Sequence, residues 1–141
     1  MKQVAYLGFK GLAWIIAVVV LVQFFFAGIG VFGEEVWGDS AFNPHRIAGL
    51  LLVPMSLLLL ILAGISAFTG GVRGGVAGMA ALLFVLMIVQ AILVIAFSES
   101  VPLIAALHPV NALILLGLSF GLARSGQFRR SAGETATSRV Q

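Results

Sequence analysis

Four apolar stretches, at about residues 12–32, 46–68, 75–97 and 101–123, are each long enough to cross a bilayer. A hydrocarbon core of ~30 Å takes roughly 20 helical residues. The expected fold is therefore all-α, a four-helix transmembrane bundle filling residues 1–130. Composition agrees: 61% of the residues are hydrophobic and 9% are charged, against about a half and a quarter in a soluble domain. The first apolar run is longer than the roughly 7–15 residues of a signal-peptide core, so it is read as a helix. There is no cysteine, which removes disulfides and thiolate metal sites.

The net charge of +3 does not point to nucleic acid. Lys2, Lys10, Arg73, Arg124, Arg129, Arg130 and Arg139 fall at one end of the expected bundle. Arg46 alone falls at the other, with Glu34, Glu35, Asp39 and Glu99. The positive-inside rule then puts both termini in the cytoplasm of a multi-pass protein of the inner (plasma) membrane. Tyr6 and Trp14 suit the inner interface, and Trp37 the outer one. Residues 131–141 are small and polar, and are expected to form a disordered cytoplasmic tail. The stretch "TGGVRG" at 69–74 reads as a tight inner turn. Asn43 and Ser100 are placed to cap the second and fourth helices, with Pro44 and Pro102 in their first turns. Pro54 and Pro109 fall inside helices, where each frees a carbonyl one turn earlier.

The second half of the chain echoes the first. "VLVQFFFAG" resembles "LMIVQAILV", with Gln23 against Gln90. "HRIAGLLL" resembles "HPVNALIL", with His45 against His108. Both halves start inside, so they read as parallel helix-hairpin repeats about an axis along the membrane normal. Such an axis puts the chain's two histidines on opposite sides of the bundle. Two imidazoles suffice as axial ligands of a haem iron, because the porphyrin supplies the rest. Zinc would need three or four protein ligands.

The neighbouring residues suit the same arrangement. Gly49, Ala105 and Ala112 would let a flat macrocycle approach the backbone. Asn111 shares the face of His108 and could bond an imidazole, a propionate or the carbonyl freed by Pro109. Arg46 could pair with a propionate at the outer surface. One feature opposes the scheme. Counted from segment centres, His45 sits about twelve residues above the midplane and His108 about four, an offset of roughly 12 Å at 1.5 Å per residue. A fourth helix continuing past Arg124 would reduce it.

On "HR" opening the second helix and the histidine of the fourth, the chain resembles one half of haem A synthase, over residues 12–124. The resemblance carries His45, Arg46 and His108, and implies histidine-ligated haem near the outer face. Where the catalytic half of that family has a glutamate three residues before the histidine, this chain has Phe42. That departure argues against haem hydroxylation. The "LHPVNALIL" stretch is also similar to a family of small bacterial four-helix membrane proteins of unknown function, which implies no activity.

Plainer roles compete. His45 beside an arginine at an interface is ordinary, and His108 could simply bond a helix carbonyl. Gln23 and Gln90 read as interhelical hydrogen-bonding glue, worth ~1 kcal/mol or less each. Gly117/Gly121 and Gly74/Gly78 have the spacing of close helix packing within a bundle. No nucleophile–base pair, phosphate loop or paired carboxylates support hydrolytic or phosphoryl-transfer chemistry. Two expectations follow. One is a small membrane protein binding haem b through His45 and His108, with Arg46, Gly49 and Asn111 around it, for electron transfer or haem binding. The other is a haem-free accessory subunit of a larger respiratory or other membrane complex. A homo-oligomer is also open. The expected surroundings are the lipid bilayer.

Overall fold

The computed structural model describes residues 2–96 and 101–125. The expected cap Ser100 and the expected tail at residues 131–141 lie outside them. Helix α1 (Lys2–Phe32) leads through the single-turn α2 (Glu34–Trp37) and a 3-10 turn (Gly38–Phe42) to α3 (Asn43–Phe68). A short turn then gives α4 (Gly74–Ile95), followed by the single-turn α5 (Pro102–Ala105) and α6 (Leu107–Ser125). Four spans of this chain, at Gln3–Phe32, Glu34–Phe68, Gly74–Ile95 and Leu103–Ser125, are long and apolar enough to cross a membrane. Glycine sits where the chain reverses: Gly38 has φ 55° and Gly70 has φ 71°, conformations that a Cβ disfavours.

The four long helices form a ring. α1 packs on α3, α3 on α4, α4 on α6 and α6 on α1. Among the described residues neither α1 and α4 nor α3 and α6 pack directly, so each pair is diagonal. A pseudo-two-fold axis along the bundle requires this arrangement, exchanging the hairpin α1/α3 with the hairpin α4/α6. Burial follows the same axis. In the Gln23–Gln90 register, buried Ala13, Ile16 and Val20 fall on buried Ala80, Leu83 and Met87. In the His45–His108 register, buried Leu52, Ser56 and Leu59 fall on buried Leu115, Ser119 and Leu122. Ser56 and Ser119 each turn their hydroxyl back to a carbonyl of their own helix, Val53 and Leu115 respectively, both at 2.7 Å. Neither hydroxyl then asks anything of lipid.

The helix ends correct several expectations. Asn43 lies inside α3 and does not cap it; the residue before the helix is Phe42, and no side chain caps that end. Pro54 is inside α3 as expected. Pro109 is not interior: α6 begins at Leu107, so the proline stands in its first turn and breaks no ladder. Ala105 belongs to the separate α5, so it does not share a face with His108. Of the spaced glycines, Gly121 packs within the bundle, where an added Cβ would touch Met79 at 3.5 Å. Gly74, Gly78 and Gly117 face open space instead.

The packed interior is confined to one end. Core residues run from Phe9 and Leu122 up to Val20, Leu52, Met87 and Leu115, and Trp14 closes the α1/α6 seam edge-on against Phe120 at 5.8 Å. At the opposite end the hairpins stand apart around a cavity. This end, which carries residues 34–42, is termed outer from the charge asymmetry.

Candidate functional site: a cavity between the hairpins

Val20, Leu52, Met87 and Leu115 belong both to the core and to the cavity wall, and so form its floor. Above them stand Gln23, Gln90, His45 and His108, with Arg46 and Gly49 also in the lining. The cavity measures about 250 Å³, below the ~300–1,000 Å³ of common small-molecule and cofactor sites. Leu50 and Ile95, both largely exposed, also line it, so it opens through the α3/α4 seam.

The expected height offset between the histidines is absent. Because α6 starts at Leu107, His108 is its second residue, as His45 is the third of α3. Both imidazoles project from a first helical turn on diagonal helices, and their ring centres are 6.0 Å apart at an interplanar angle of 64°. A metal–imidazole bond is about 2 Å long, and two in line through one ion set the ring centres roughly 6 Å apart. The angle between the ring planes does not restrict such a pair, since each ring rotates about its own bond.

The ring nitrogens are assigned by their partners. His45 Nδ1 lies 3.1 Å from the main-chain carbonyl of Gln23, and His108 Nδ1 lies 3.2 Å from that of Gln90. A carbonyl only accepts, so each Nδ1 carries the proton and each Nε2 holds a lone pair. Histidine ligands of metals are commonly oriented this way, by an acceptor on the other ring nitrogen. The glutamine positions were legible in the sequence, but their main-chain role was not, since every residue has a carbonyl.

The glutamine side chains differ. Gln90 Nε2–H donates to His108 Nε2 at 3.2 Å. Asn111 Nδ2 donates to Gln90 Oε1 at 2.7 Å and to the Leu86 carbonyl at 2.9 Å. Asn111 therefore reaches His108 through Gln90, and not by the direct bond expected of it. Gln23 Nε2 donates to the main-chain carbonyl of His45 at 3.1 Å, and its Oε1 is buried without a donor among the described residues. Gly49 serves that glutamine: a Cβ there would stand 2.8 Å from Gln23 Nε2. Arg46 is exposed at the cavity rim.

The two imidazoles thus lie side by side in a mostly apolar slot, with the His108 Nε2 lone pair taken by Gln90 and none of the described residues on that of His45. Among the described residues no group of three His, Cys, Asp or Glu side chains comes together, so a metal held wholly by such residues has no site there.

These features define a small four-helix bundle of membrane-spanning length with a bis-histidine cavity at one end. A family of unknown function (DUF6220) matches residues 23–98, just over half of the chain, and the chain belongs to that family. The matched stretch contains Gln23, His45, Arg46, Gly49 and Gln90, and ends before His108 and Asn111. No curated protein and no solved structure matches the chain. None of these comparisons shows the expected resemblance to half of haem A synthase.

Proposed function

We propose that the chain is a b-type haem protein of the plasma membrane, holding one haem between its hairpins through His45 and His108 near the outer face. The observation that carries this reading is the matched pair of imidazoles. They come from diagonal helices, each is held at Nδ1 by a glutamine main-chain carbonyl, and their ring centres are 6.0 Å apart. When bound, haem supplies a one-electron iron couple suited to electron transfer. The chain supplies the rest. The Gln23 and Gln90 carbonyls fix the tautomers, the apolar floor excludes water, and Arg46 offers a cation to a carboxylate at the rim. A haem-free accessory subunit is the second reading. It is favoured by the Gln90–His108–Asn111 hydrogen bonds, which satisfy those groups without a metal.

The test is optical. Protein produced with ample haem and purified in detergent should show a Soret band, with sharp visible bands on reduction. His45→Ala and His108→Ala should each abolish binding or leave a high-spin iron. Arg46→Ala should weaken retention and keep the low-spin spectrum, because a propionate at the rim can be solvated instead. A colourless wild-type protein would end the haem reading and leave the accessory-subunit one.

A further inference from the structure

The two halves of the site are built alike, yet their histidines are left in opposite states. The cause lies in two pairs of equivalent positions. Gly49 of α3 corresponds to Ala112 of α6, and Ala48 of α3 corresponds to Asn111 of α6. Gly49 leaves room for Gln23 to lie along α3 and donate to the His45 main-chain carbonyl, a position that a Cβ would crowd at 2.8 Å. With Gln23 drawn away, His45 Nε2 has no hydrogen-bond partner among the described residues. On the other side Ala112 presents a Cβ where Gly49 has none, and Asn111 grips Gln90 Oε1 at 2.7 Å. Gln90 is thereby held with its amide N–H on the His108 Nε2 lone pair.

We propose that Gln90 and Asn111 form a latch over His108 while His45 is kept open, so that the site takes a metal-centred ligand first at His45 and then at His108. The proposal rests on the haem reading for the identity of the ligand, but not for the latch itself. A lone pair already accepting an N–H bond cannot also bind a metal, so Gln90 must swing away before His108 engages. Asn111 sets how readily it does so, which makes Gln90 and Asn111 positioning residues. Gly49 has the reverse role: it keeps Gln23 from closing a second latch over His45.

The latch is read without haem by diethyl pyrocarbonate, which acylates a free imidazole lone pair. Modification is followed at each histidine by mass spectrometry of the full-length protein in detergent. His45 should react faster than His108. Asn111→Ala and Gln90→Leu should each speed His108, by up to about tenfold, the scale of one neutral hydrogen bond. His45 should be unaffected by either. Gly49→Ala should slow His45 and spare His108. Haemin mixing provides the second readout: wild type should bind in two spectral phases, and Asn111→Ala should accelerate the later one. Unchanged His108 reactivity in both Asn111→Ala and Gln90→Leu overturns the latch, whether or not haem binds. The expected acylation pattern in a protein that takes up no haem would keep the latch and remove its ligand.

Discussion

At the scale of single residues, the polar groups in the apolar bundle differ in how well they are satisfied. Asn111 is buried and donates both amide hydrogens, to Gln90 Oε1 and to the Leu86 carbonyl. Gln23 makes one donation and strands its own Oε1. Interhelical hydrogen bonds in membranes average about 0.6 kcal/mol, whereas a buried acceptor without a donor costs about 1–3 kcal/mol. Gln23→Leu removes a weak bond together with a stranded acceptor, so it should change stability by less than ~1 kcal/mol and can raise it. Asn111→Ala creates a stranded acceptor on Gln90 and should cost about 1–3 kcal/mol. Unfolding both variants in one detergent by denaturant titration compares them directly. A larger loss for Gln23→Leu would contradict this assignment of partners.

At the scale of elements, aromatic rings of the outer connection seat on glycines at the end of α1 and just past it. A Cβ on Gly30 would overlap the Phe42 ring, and one on Gly33 would meet the Trp37 ring. Phe42 immediately precedes α3, so its seat on Gly30 ties the start of that helix to α1. Gly30→Ala should therefore displace Phe42 and cost about 1–3 kcal/mol, the usual range for overpacking. Hydrogen exchange should show the loss as faster exchange at residues 38–45, with the inner half of the bundle unchanged. An unaltered exchange profile would mean that the turn holds its place without Phe42. The four long helices were legible in the sequence because length and hydropathy alone set a spanning segment. The break before Leu107 was not, because Pro109 reads the same in a first turn as in an interior, and the apolar run passes straight through. That break levels the two histidines, which a count from segment centres sets at different heights. The Ser56/Ser119 correspondence was missed for another reason. Serine is unremarkable by type, and only burial on both sides distinguishes it from any other small polar residue.

At the scale of the whole molecule, a large apolar surface faces outward: Phe25, Leu50, Phe68 and Leu103 are all well exposed on the bundle's exterior. Lipid is the solvent that such a surface fits, and four helices of spanning length supply the thickness. The same surface means that apolar burial cannot drive the helices together, since lipid tails are as apolar as leucine. Packing at the inner end and hydrogen bonds at the outer end must do so, and the cavity is confined to the half where packing stops. Which half faces the cytoplasm is decided by charge. Arg73 and Arg124 stand at the packed end with Lys2 and Lys10, while Arg46 is the lone basic residue beside Glu34, Glu35 and Asp39 at the cavity end. Lysine and arginine near membrane-spanning segments are retained inside, so the cavity end should face outward. Single cysteines at Arg73 and Glu35, in a chain that has none of its own, make the test clean. An impermeant maleimide applied to intact cells should label Glu35→Cys, and should label Arg73→Cys only after the membrane is permeabilised. Labelling in the opposite order would invert the bundle, and would turn the bis-histidine cavity towards the cytoplasm.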